Sequence, residues 1–341
     1  MLHPLQGSGV CKKAHHGWPG RFFCRGSLAG AGQQEIRLGQ QEIGSGPQQI
    51  RLRKEAEMYE KVTNILQTAR ECNTAVIAFI CQDYNMARAV VYAAQAANTP
   101  AIVMLYPEHV SIQKTTGMKS FAEMVKELAG EVSVPIGLHL DHDYTKEAIL
   151  NAVRCGFGSV MMDGSVNPLK RNIEITGDVV RAAHELGAAV EGEIGHVGAA
   201  SDADNSKEDL YTKPDAAELF CKETGVDSLA ISIGNAHGEY IDTPHLDIKR
   251  LEEIRSVTKA PLVLHGGSGI PDDQLLAAFS KGISKFNQGT EFLGRYYQAM
   301  EQYVSENGGN MDPVKIIHMP EYIHARLLPY VENRMRTLCR F

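Results

Sequence analysis

Between residues 74 and 288, eight short apolar runs alternate with helix-patterned stretches, and no other feature restricts the fold so tightly. The runs are TAVIAF (74–79), AIVMLY (101–106), PIGLHL (135–140), GSVMMD (158–163), AAVEGEI (188–194), SLAISI (228–233), PLVLHG (261–266) and ISKFNQ (283–288). Several are apolar almost throughout, the pattern of parallel strands covered on both faces. Between them, YTKEAILNAVRCG carries Ala148, Ile149, Ala152 and Val153 at helical spacing and stops at Gly156. PDDQLLAAFSKG opens on Pro271 and two acids, a helix start, and ends at Gly282. NIEITGDVVRAAHELG also ends on glycine. Strand then helix, eight times over, predicts an α/β fold, the (β/α)₈ TIM barrel. An open doubly wound sheet would favour a glycine-rich phosphate turn after its first strand; here that strand runs into Ile80-Cys81-Gln82-Asp83.

The barrel unit is expected to span residues 58–341, with a C-terminal helical segment. MYEKVTNILQTARECN, from Met58, reads as a helix with Val62, Ile65, Leu66 and Ala69 on one face. Residues 1–57 differ in kind: rich in Gly, Gln and Arg, with the imperfect repeat QQEIRLG, QQEIGSG, PQQIRL. No apolar period runs through them, so a disordered N-terminal extension is expected. Two other readings stay open, a targeting segment, since the first 34 residues hold four bases and no acid, and translation from Met58. A net charge of -7 argues against a broad nucleic-acid surface, and no apolar run reaches the ~18 residues of a membrane span. Seven scattered cysteines without a CxxC pair fit the reduced thiols of a cytoplasmic protein.

In such a barrel the chemistry gathers at the C-terminal ends of the strands. There the third run ends His139-Leu140-Asp141-His142, the fourth ends at Asp163, and the fifth carries Glu191 and Glu193. The sixth leads into Gly234-Asn235-Ala236-His237-Gly238, the seventh into His265-Gly266-Gly267-Ser268-Gly269, and the eighth into Asn287-Gln288-Gly289-Thr290. His142, His237 and His265 thus open into one mouth from three strands, and three ligands plus an open position is how catalytic zinc is held. His139 shares a strand face with Asp141 and fits a supporting partner better than a ligand. Glycines in loops seven and eight let backbone N–H groups approach an anion, and a helix starting at Pro271 would add its positive end. These loops are the usual phosphate site of the barrel. Lys285 is the one tempting imine-forming nucleophile, and the metal set makes it unnecessary.

At these residues the chain resembles the class II, zinc-dependent fructose- and tagatose-bisphosphate aldolases, over about residues 58–295. The landmarks are LHLDH (138–142), GFGSVMMDGS (156–165), VEGEIG (190–195), GNAHG (234–238), LVLHGGSGIP (262–271) and KFNQGTE (285–291). The resemblance implies that His142, His237 and His265 hold one catalytic zinc and that Asp141 moves the proton at the hydroxyl beside the breaking bond. It implies that Gly238, Gly266, Gly267, Ser268, Asn287, Gln288, Gly289 and Thr290 bind the dihydroxyacetone phosphate half. A monovalent cation would suit Gly238 and 266–268, and Asp163 and Glu193 match acids of a second or alternative metal position. The partner is then a small sugar phosphate, and relatives imply a homodimer or homotetramer. The metal's task is to spread the charge left by carbon–carbon cleavage, as an enediolate.

Three departures alter the surroundings of this centre. Ile80 stands where the family usually has Asn, and Tyr106 where it has a substrate-contacting serine. The loop after the fifth strand reads Gly198-Ala199-Ala200-Ser201-Asp202-Ala203-Asp204 in place of a Gly-Gly-acid-acid run, leaving Asp202 or Asp204 to stand in for its proton donor. The sugar phosphate is therefore left open. Two other functions are weighed: a non-catalytic phosphosugar-binding protein, and a metal-dependent isomerase or epimerase.

Overall fold

The computed structural model describes residues 58–114, 117–195, 211–238, 240, 243–308 and 313–341. The expected N-terminal extension and the Asp202 and Asp204 positions lie outside these residues. In chain order the elements are α1 Val62–Glu71, β1 Val76–Ile80, α2 Tyr84–Ala97, β2 Ala101–Leu105, α3 Pro107–Gln113, α4 Met118–Gly130 and β3 Ile136–Leu140. There follow α5 Lys146–Arg154, β4 Ser159–Met162, α6 Leu169–Glu185, β5 Ala189–Ile194, α7 Pro214–Thr224, β6 Ser228–Ile231 and α8 Ile248–Val257. The chain ends with β7 Leu262–Leu264, α9 Asp272–Lys281, β8 Ile283–Gln288, α10 Thr290–Glu306, α11 Pro313–Ile316 and α12 Met319–Leu338. The strands pair parallel in the order β1 to β8, and β8 closes on β1. This is the (β/α)₈ barrel that the alternation predicts.

The strand period of two decides what each side chain faces. Val190 and Ile194 of β5, Leu262 and Leu264 of β7, and Phe286 of β8 join the core between strands and helices. The alternate residues enter the barrel, where Glu191 bonds both Lys285 and His265 across the interior. At the N-terminal end, α1 plugs the barrel with Val62, Ile65 and Leu66 against Val76, Ala78, Ile102 and Met104. Each such burial is worth roughly 1.5–3 kcal/mol. Gly137 makes the plug fit: a Cβ there would lie 2.9 Å from Val62 and 3.2 Å from Ile65.

One expectation changes. The helix predicted from Met58 begins at Val62, because Tyr59 is extended and bridges Ile136 beside β3. YIHARLLPYV lies within α12 and packs on its own chain, with Ile323, Leu327 and Val331 buried in the core. Cys81, Cys155, Cys221 and Cys339 are free thiols. Among the described residues no helix is long and apolar enough to cross a membrane.

Candidate active site

A cavity of about 470 Å³ opens at the C-terminal ends of the strands. His142 lines it from beyond β3 and His237 from beyond β6, while His265, just beyond β7, is fully buried. Each offers one ring nitrogen, and the three nitrogens lie within 4.8 Å of one another. His265 Nδ1 faces His142 Nε2 at 2.8 Å. The outer nitrogens of both rings are taken: His142 Nδ1 by Asp163 Oδ2 at 3.0 Å, and His265 Nε2 by Glu191 Oε1 at 2.9 Å. A carboxylate on the far nitrogen fixes the tautomer and turns the other lone pair inward, as metal-binding histidines require. The donor set fits a divalent cation of the zinc kind: three buried or nearly buried imidazoles, each with a nitrogen aimed at a common point.

The electrostatics are those of a site built around positive charge. Burial alone would lower His142, but Asp141, the bond to Asp163, and Glu193 outweigh it and push the ring up to about 9. Burial likewise opposes ionisation of Asp163, yet its bond from His142 and the backbone N–H of Ser165 hold it well below the usual carboxylate range. His265 is lowered, chiefly by burial, which favours the neutral ring that binds metal. Asp141 is 3% exposed and stays a carboxylate: burial raises it, but His142 and His265 bring it below its ordinary value. Asn287 Nδ2 donates to Asp141 Oδ1 at 3.2 Å and sets its direction.

Asp163 and Glu193 also come together with His142 in a second potential ligand group within 4.8 Å. It shares one imidazole with the first, so the two are alternatives around His142. His139 Nδ1 meets Ser159 at 2.7 Å below the mouth, and burial pushes it down to about 3, in keeping with a supporting role.

Lys285 is placed differently from a nucleophile at the mouth. It is fully buried inside the barrel, with Nζ 2.9 and 3.1 Å from the two oxygens of Glu191. Position 285 faces inward one layer below Asn287, so the chain brings its ammonium to Glu191 rather than to substrate. Ser228 donates to the same carboxylate at 3.0 Å. Burial would raise Glu191, but Lys285, His139 and His265 hold it well below the usual range. The pair thus keeps an anion behind His265, a candidate metal ligand.

The predicted anion loops mostly converge on the cavity. Gly238, Gly266, Gly267, Ser268, Asn287, Gly289 and Thr290 line it. Gly266 has φ +61°, and a Cβ there would sit 2.0 Å from the Ala236 carbonyl oxygen. At Gly267 a Cβ would meet the Phe286 ring at 1.7 Å. Gln288 departs from expectation: it is fully buried and donates to Glu291 and to Tyr330 of α12. Neighbours on a strand face opposite ways, so Asn287 enters the mouth and Gln288 leaves it. The helix end at this cavity also differs from the expected one: α10 begins there, at Thr290, and α9 does not.

Some functional neighbours carry no sequence signal. Tyr240 accepts from the Ala236 N–H at 2.7 Å and donates to the Gly266 carbonyl at 2.8 Å, clamping loops six and seven together. Ile80, Tyr106, His109, Tyr144 and Val166 wall the rest of the cavity. Ile80 and Tyr106 are thus departures from the family pattern that sit in the site itself.

Comparison with known proteins agrees with this geometry. The family model "Fructose-bisphosphate aldolase class-II" matches residues 60–339. A fructose-bisphosphate aldolase of Geobacillus stearothermophilus is 36% identical over 255 residues, 74% of this chain and 88% of that protein. A probable fructose-bisphosphate aldolase of Bacillus subtilis (strain 168) is 35% identical over 258 residues, 75% of this chain and 90% of that protein. The crystal structure of the YdjI aldolase from Escherichia coli K12 superposes with a TM-score of 0.71 at 30% identity, covering 82% of this chain and 97% of that one. The chain belongs to the class II fructose-bisphosphate aldolase family.

Proposed function

We propose that this lyase reversibly cleaves a phosphorylated ketose of the fructose- or tagatose-bisphosphate type to dihydroxyacetone phosphate and an aldehyde. One observation carries the reading: three imidazoles converge beside a buried carboxylate, next to a glycine-walled anion cradle. His142, His237 and His265 would hold zinc, which when bound supplies a Lewis acid for the ketose carbonyl. Asp163 and Glu191 keep two of these rings in register. Asp141 takes the proton from the hydroxyl beside the breaking bond and returns it in condensation. Asn287 holds that carboxylate in place. Backbone N–H groups of the 266–268 turn and of Gly289 and Thr290 receive the phosphate at the positive end of α10. Gly238 and the 266–268 turn suit a monovalent cation, and Asp163 with Glu193 an alternative metal position.

The catalytic unit in this reading is residues 58–341, acting in the cytoplasm as a homodimer or homotetramer. The test is cleavage of a panel of ketose bisphosphates before and after chelation. Activity is expected to vanish with chelator and return with zinc, and Asp141→Ala is expected to lose about 10²–10⁴-fold. Binding without cleavage would mark a phosphosugar-binding protein. Interconversion without cleavage would mark an isomerase or epimerase. Activity persisting in chelator and trapped by borohydride would overturn the metal assignment.

A further inference from the structure

His109 lies in α3, beyond β2, and lines the same cavity as Asp141 and His142. Its neighbours determine which of its nitrogens carries hydrogen. Tyr297 of α10 lies 3.1 Å from Gln82 Oε1. An amide oxygen can only accept, so the tyrosine hydroxyl donates. The other end of the amide, Gln82 Nε2, lies 3.4 Å from His109 Nδ1. An amide NH₂ can only donate, so Nδ1 must be bare and Nε2 protonated. Burial lowers the His109 pKa, more than Glu108 and Asp141 raise it, which favours this neutral form. Among the described residues, no protein group is recorded bonding Nε2.

The surroundings of His109 along the cavity wall indicate what this N–H meets. The Tyr106 ring stands between, its centre 5.0 Å from that of His109 and 6.4 Å from that of His142. The glycine loops follow β7 and β8, whereas His109 follows β2, with Ile80, Tyr106, Tyr144 and Val166 around it. No lysine or arginine lines the cavity among the described residues. A neutral donor in this setting suits a carbonyl or hydroxyl oxygen.

We propose that His109 donates its Nε2–H to a carbonyl or hydroxyl oxygen of the aldehyde-derived half of the substrate, in the tautomer that Gln82 selects by donating to Nδ1. This rests on the aldolase reading, which places the dihydroxyacetone phosphate half at the metal and the glycine loops.

Two rates on the zinc-loaded enzyme separate the ends of the site. Exchange of solvent deuterium into dihydroxyacetone phosphate alone needs only the metal end; ketose cleavage needs both. His109→Ala is expected to leave exchange within twofold and lower kcat/KM for cleavage about tenfold, the loss of one neutral hydrogen bond. His109→Gln, which keeps an N–H, is expected to recover most of that loss. ¹⁵N NMR of the wild type should show His109 protonated at Nε2, and Gln82→Glu should move the proton to Nδ1 and depress cleavage alone. Unchanged cleavage in His109→Ala, equal loss of both rates, or an Nδ1–H tautomer in the wild type would each overturn the proposal. A wild type that exchanges no deuterium would instead overturn the aldolase reading itself.

Discussion

On the β6–β8 side, the mouth of the barrel is walled by His237, Asn287 and a run of glycines; on the β1–β2 side it is walled by Ile80, Tyr106 and His109. The first side leaves almost no latitude. A methyl group at Gly266 would strike the Ala236 carbonyl oxygen, and one at Gly267 the Phe286 ring. The second side, with Tyr144 and Val166 beside it, is loose: those two side chains are 57% and 71% exposed, so exchanging them disturbs little packing. In the proposed reading, the rigid side holds what every substrate of such an enzyme shares, and the loose side meets what differs. It is there that Ile80 and Tyr106 depart from the family pattern.

The comparison breaks first if the rigid side tolerates change. His237→Ala is expected to lower cleavage about a thousandfold or more, the factor that several kcal/mol of lost charge stabilisation gives. Steady-state kinetics with a metal count on the purified protein checks it. Next comes the support behind the ligands. Glu191→Gln removes the anion shared by His265 and Lys285 and should weaken zinc binding about 10–100-fold in a chelator competition. The third effect follows pH. Without metal, His142 keeps its proton up to about 9, because Asp141, Asp163 and Glu193 outweigh its burial. Zinc must displace that proton, so affinity should fall about tenfold for each unit below about pH 9 and level off above it. Calorimetry in buffers of different ionisation enthalpy should show about one proton released near pH 7. The smallest change belongs to the loose side: Tyr106→Ser should shift preference among aldehydes severalfold and leave zinc affinity unaltered. A change in metal binding there would show that the two sides are not separate.

How much of this was legible in the sequence depends on the range of the contact that matters. The barrel could be read because each strand–helix unit carries its own pattern and glycine stop. His142, His237, His265 and Asp141 could be read because a strand end is a local feature and the barrel brings all such ends to one mouth. The same logic failed between neighbours at Asn287 and Gln288, where one residue of phase separates the cavity from α12. It also failed at Lys285, whose partner Glu191 lies 94 positions away and is met only when the barrel closes. Gln82 and Tyr297, 215 positions apart, have no motif at all; their contact exists because α10 packs beside β1. The extended stretch at Tyr59 escaped for a similar reason, since pairing with Ile136 outweighs local helical pattern.

Anomalous diffraction at the zinc edge, from crystals of the full chain grown with zinc, tests the central claim directly. The expected map has one peak at the mouth, bonded to His142 Nε2, His265 Nδ1 and a ring nitrogen of His237 at about 2.0–2.1 Å. A peak held instead by His142, Asp163 and Glu193, or no peak among these side chains, would contradict it.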